Sequence, residues 1–138
     1  MNINKDELKT RLESIDPNSS TVSLEELIEL RNRAHSMGDV PLEALALVKI
    51  STRHMLLGQF EEELLACREL CVICEDRWQF LFSLGIAEVR AGNISKGLDT
   101  LRKAYDLASA DTIVIEGYTK EMAAHILDEI KRVEGLEP

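Results

Sequence analysis

Apolar residues recur along this chain every three to four positions, the spacing that lines one face of an α-helix. Leu8, Leu12 and Ile15 form a first short stripe, with Asn4 placed to cap it. Leu24, Leu27, Ile28, Ala34 and Met37 form a second, opened by Ser23-Leu-Glu-Glu26 and closed by Gly38-Asp39. That tetrad is a capping box, in which the serine side chain and the glutamate three residues on satisfy each other's backbone amides. Between the two stripes, "DPNSST" at 16–21 is a loop by composition. A third stripe, Leu45, Leu47, Val48, Ile50, Met55 and Leu57, follows Pro41, which sits where a first helical turn tolerates proline, and ends at Gly58. Further helices are predicted over roughly 60–74, 77–91 and 95–108. A longer one, over roughly 112–133, has Ile115, Tyr118, Met122, Ile126, Ile130 and Val133 at helical spacing. Strand-length runs of β-branched residues are almost absent, so the expected fold class is all-α with about seven helices.

The pattern repeats. Gly58 and Gly92 stand 34 residues apart, and the same shift pairs Leu47 with Leu81, Ile50 with Leu84 and Ser51 with Gly85. It also places Phe60, Leu64, Cys67, Cys71 and Cys74 on Ile94, Leu98, Leu101, Tyr105 and Ala108. This correspondence decides how to read "CRELCVIC" at 67–74, which holds all three cysteines of the chain. The C-x3-C-x2-C spacing resembles the iron–sulfur loop of radical-SAM enzymes, but that loop follows a strand in a far larger barrel. On a helix, three such sulfurs spread along about 10 Å of axis. The stripe advances by 4, 3, 4 and 3 residues, and its copy has no metal ligand. Cysteine is here expected to be a small buried hydrophobe, and a cysteine-based metal or redox protein is the least favoured reading.

A 34-residue helix–turn–helix period resembles the tetratricopeptide repeat. Leu84–Ala108 is similar to one copy from its Leu84-Gly85 pair onward, with Gly92 as the turn glycine, Ile94 at the bulky turn position, Leu101 at the bulky second-helix position and Ala104 at a small one. A looser copy begins at Ala44, with Leu47, Ile50 and Ser51 in its first helix and Phe60 as the turn aromatic. Glu63 and Gly97 stand where the family prefers alanine, and His54 and Glu88 where it prefers an aromatic. The resemblance implies one helical-repeat domain, an α-solenoid of antiparallel helices: N-terminal helices over 1–43, two repeats over 44–111 and a capping helix over 112–138. It implies partner binding on a concave groove lined by first helices, here Val48, Thr52, Met55, Gln79, Phe82, Ile86, Val89 and Arg90. Val48 and Thr52 occupy positions where a carboxylate-gripping groove would need a lysine and an asparagine. An apolar helical or extended segment is therefore the expected ligand.

Charge narrows the partners. There are 25 acidic against 16 basic residues, a formal net charge of −9. Such a surface repels nucleic-acid phosphates and anionic membranes, which leaves another protein, a peptide segment or a second copy of the chain. No stretch has signal-peptide or membrane-spanning character. An odd number of clustered cysteines is not a disulfide framework, so a cytoplasmic location is expected. His35, His54 and His125 form no metal-binding pair, and no nucleophile or phosphate-loop motif occurs. The expectation is a non-enzymatic protein-interaction module without cofactor or metal. Two narrower alternatives share this class. The chain is similar in size, charge and texture to small acidic type III secretion chaperones of bacteria, which hold an export substrate in the cytoplasm. It could equally be a sensory or docking domain of a longer signalling protein.

Overall fold

The computed structural model describes residues 3–19, 21–75, 77–110 and 118–136, with side chains excepted for 118–120. Among the described residues are seven α-helices and no strand: α1 (Lys5–Ser14), α2 (Leu24–Ser36), α3 (Val40–Leu56), α4 (Phe60–Ile73), α5 (Trp78–Arg90), α6 (Ile94–Ala110) and α7 (Tyr118–Glu134). The expected start of the last helix, with Ile115, lies outside the described residues. The chain divides into two compact units, residues 1–74 and 75–138.

In residues 1–74, α3 is central and packs against α1, α2 and α4. Its core gathers Leu8 and Leu12 of α1, Leu27, Leu30 and Ala34 of α2, Leu42, Ala46 and Ile50 of α3, and Ala66 of α4. The helix starts follow from side-chain caps that take up orphan amides. Asn4 Oδ1 accepts from the Glu7 amide at 2.8 Å, and Ser23 Oγ accepts from the Glu26 amide at 3.1 Å. The Glu26 carboxylate, expected on the Ser23 amide, pairs instead with Arg11 of α1, so of the capping box the serine half is shown and the glutamate ties two helices together.

Asp39 caps α3, accepting from the Leu42 amide at 3.0 Å, and its other oxygen meets Lys5 Nζ of α1 at 3.0 Å. The Leu42 amide first, and Lys5 second, hold this carboxyl below the usual aspartate range, against the opposing effect of burial. A carboxyl lowered on folding stabilises the fold above its unfolded value of about 3.9, and that contribution is lost as pH falls through the lower folded value. Asp39→Asn is therefore expected to melt below wild type at pH 7, with a smaller gap at pH 3. An unchanged gap in thermal melts at the two pH values would contradict this.

One turn occurs three times. Gly38, Gly58 and Gly92 have φ of 67, 71 and 92°, the left-handed region that glycine enters without penalty. In each turn the following amide bonds back across the helix end: Asp39 to the Ala34 carbonyl at 3.0 Å, Gln59 to His54 at 2.8 Å and Asn93 to Glu88 at 2.8 Å. These are Schellman closures. They turn α2 into α3, α3 into α4 and α5 into α6. The 34-residue shift finds the last two; the first sits outside that period.

In residues 75–138, α6 lies between α5 and α7. Trp78, Leu98, Leu101, Ala108, Ile126, Ile130 and Val133 form the core. Helices α5 and α6 approach closely through two glycines. A Cβ on Gly85 would stand 2.8 Å from the Leu101 side chain, and one on Gly97 would stand 2.5 Å from Val89 Cγ2 and 3.0 Å from the Gly85 carbonyl. Gly85 of the Leu84-Gly85 pair thus lies where α6 comes closest. Within each unit, helices adjacent in sequence pack on one another.

Candidate functional site

The eight residues expected to line a groove fall in both units. In residues 1–74, Val48 is exposed, Met55 is half-buried, and half-buried Thr52 donates its hydroxyl to the Val48 carbonyl at 2.8 Å. In residues 75–138, Gln79 and Arg90 are exposed. Phe82, Ile86 and Val89 are half-buried and pack against that unit's own core. The Phe82 ring meets the His125 ring of α7 edge to face, with centroids 5.6 Å apart and planes at 66°.

A different face of α3 is concave. Leu47, Ile50 and His54 of α3, Ile28 and Arg31 of α2, and Glu62, Leu65, Ala66 and Glu69 of α4 enclose an open groove of about 280 Å3. Its walls carry two large apolar side chains in solvent, Ile28 at 41% and Leu65 at 58% exposure. Polar groups brace it. Arg31 Nη2 reaches Glu69 Oε2 at 2.8 Å, joining α2 to α4, and its Nε lies 3.4 Å from the buried Glu43 of α3. The same Glu43 oxygen meets His35 Nδ1 at 3.1 Å. The expected row used positions 48, 52 and 55 of α3; the groove uses 47, 50 and 54, the adjacent face of the same helix.

Two bases on α3, buried Lys49 and half-buried Arg53, hold the loop between α1 and α2. Lys49 Nζ donates to the Ile15 carbonyl at the end of α1. Arg53, one turn on, donates to three carbonyls: Pro17 through Nε at 2.7 Å, Val22 through Nη1 at 2.7 Å and Ser19 through Nη2 at 2.8 Å. A guanidinium fork suits three acceptors at once. The sequence shows only that Lys49 and Arg53 stand about one turn apart; it does not show the carbonyls they reach.

The sulfur stripe is buried only in its middle. Leu64 and Cys67 are almost wholly covered, and Cys71 and Cys74 are half-buried. The expectation that every sulfur is tucked into the core is thus met by Cys67 and corrected for the other two. The physical reason for Cys74 is that it caps α4 at φ −121° and ψ 62°, off the helical path. Among the described residues, no three His, Cys, Asp or Glu side chains converge to hold a metal ion. No described helix is long and apolar enough to cross a membrane.

No protein-family model matches the sequence, and comparison with curated proteins and with solved structures gave no match.

Proposed function

We propose that this chain is a non-enzymatic interaction module of tetratricopeptide-like helix pairs, and that it receives an amphipathic helix of a partner protein in the groove of α2, α3 and α4. The observation that carries this reading is the open groove whose apolar walls, Ile28 and Leu65, stand in solvent. Grooves of this kind take helices by apolar anchors at three- to four-residue spacing. The Arg31–Glu69 pair and the α3 floor hold the walls in place before binding, which lowers the cost of ordering on association. Glu62 and Glu69 at the edge, on a chain of net charge −9, favour a partner helix flanked by Lys or Arg.

Affinity capture from the source cell is expected to recover one partner in near-equal amount. Leu65→Glu or Ile28→Glu should reduce recovery about tenfold or more, the equivalent of about 1.4 kcal/mol, with helical ellipticity unchanged. Val48→Glu, on the neighbouring face, should leave recovery intact. Loss with Val48→Glu and not with Leu65→Glu would move the site to the row of Val48, Thr52 and Met55.

A further inference from the structure

The two carboxylates at the edge of the groove are not equivalent. Glu69 is committed to Arg31 at 2.8 Å, and Arg31 also faces buried Glu43. Glu62 is exposed and, among the described residues, no cation pairs with it. It lines the same groove seven residues earlier, about 10 Å away along the axis of α4. It belongs to the first turn of α4, between Glu61 and Glu63. Across the Gly58 turn stands His54, also in the groove lining, whose Nδ1 meets Gln59 Oε1 at 2.8 Å. An amide oxygen only accepts, so the neutral ring donates from Nδ1 and keeps Nε2 as an acceptor. Gln59 is the N-cap residue of α4 but makes no capping bond with its side chain; its amide holds the imidazole instead. One end of the groove thus offers acceptors, and Arg31 stands at the other.

We infer that the partner helix lies antiparallel to α4 and places a Lys or Arg of its last turn against Glu62 and the His54 ring, an orientation that rests on the groove reading above. The last turn of a helix favours cations, because its unbonded carbonyls carry partial negative charge, and the first turn favours acids. In the antiparallel direction the partner's last turn meets the acidic start of α4, and its first turn meets the end that holds Arg31. In the parallel direction its first turn would face Glu61 and Glu62, setting acid against acid. Of the partner's two flanks, the C-terminal one therefore carries the recognised charge.

Two labelled, end-capped peptides of about 18 residues, long enough to form helix, test the orientation against the full chain by fluorescence anisotropy. Both are alanine-rich with leucines at i, i+4, i+7 and i+11; one carries two lysines in its last turn, the other in its first. The last-turn peptide should bind more tightly by about threefold or more. Glu62→Gln should remove that preference, and Glu61→Gln, outside the groove lining, should keep it. Leu65→Glu should weaken both peptides about tenfold or more with ellipticity unchanged. Equal affinities, or a preference that survives Glu62→Gln, would overturn the orientation while sensitivity to Leu65→Glu upholds the groove. Binding of neither peptide, or binding indifferent to Leu65→Glu, would overturn the groove reading and the orientation with it.

Discussion

Gly97→Leu is expected to abolish the native packing of residues 75–138. At Gly97 the space for even a Cβ is taken: Val89 Cγ2 would be 2.5 Å away, the Gly85 carbonyl 3.0 Å and the Val89 amide nitrogen 3.2 Å. Two of those three neighbours are backbone of α5, so relief requires the helices to part. Parting them uncovers Leu98 and Leu101, both essentially inaccessible. Overpacking of this kind costs about 3 kcal/mol, a large share of the stability of a small unit. Trp78 is the sole tryptophan and belongs to this unit's core. Its fluorescence therefore reports on residues 75–138. We expect a red-shifted emission at room temperature for Gly97→Leu and a lowered melting midpoint for Gly97→Ala. Wild-type emission and melting for both variants would contradict the close approach of α5 and α6.

Arg53→Ala should have the second largest effect, and in the other unit. Three loop carbonyls lose a charged donor at once. Hydrogen bonds to charged groups contribute about 1.5–3 kcal/mol each, but the freed carbonyls can turn to water, so a loss of about 2–4 kcal/mol overall is expected. Arg53→Lys should fall between, because an ammonium on a single stem cannot reach the three acceptors in one plane. Hydrogen exchange at the amides of Asn18, Ser19, Thr21 and Val22 should rise in Arg53→Ala more than at α3 or α4. Unchanged exchange and melting would show that the clamp does not hold the loop.

The helices, their caps and their turns were legible because each depends on a few neighbouring residues. Asn4, Ser23 and the glycines at 38, 58 and 92 act on amides and carbonyls within five positions of themselves. The stripes of Leu8, Leu12 and Ile15, and of Leu98 and Leu101, are buried as their spacing implies. What the sequence hid depends on partners far along the chain. Arg53 reads as a surface residue until its acceptors, 31 to 36 residues upstream, are known. Glu88 was visible as a departure from the repeat pattern, but not its reason. It is fully buried, accepts from Thr100 Oγ1 at 2.5 Å and lies 3.9 Å from Lys96 Nζ, so two residues of the next helix face its carboxylate. The groove was missed for a related reason. A repeat frame assigns faces of α3 by analogy, whereas the groove arises where α2 and α4 both lean on α3, and Ile28 and Leu65 are 37 positions apart.

Site-specific photo-crosslinking tests the central claim most directly. A photoreactive phenylalanine analogue placed at Leu65, on the groove wall, is activated in the source cell and compared with the same analogue at Lys103, an exposed position of α6. The account predicts one dominant protein adduct at Leu65, mapping to an amphipathic segment of the partner with basic flanks, and none of it at Lys103. Equal labelling at both positions, or no protein adduct at Leu65 above background, would contradict it.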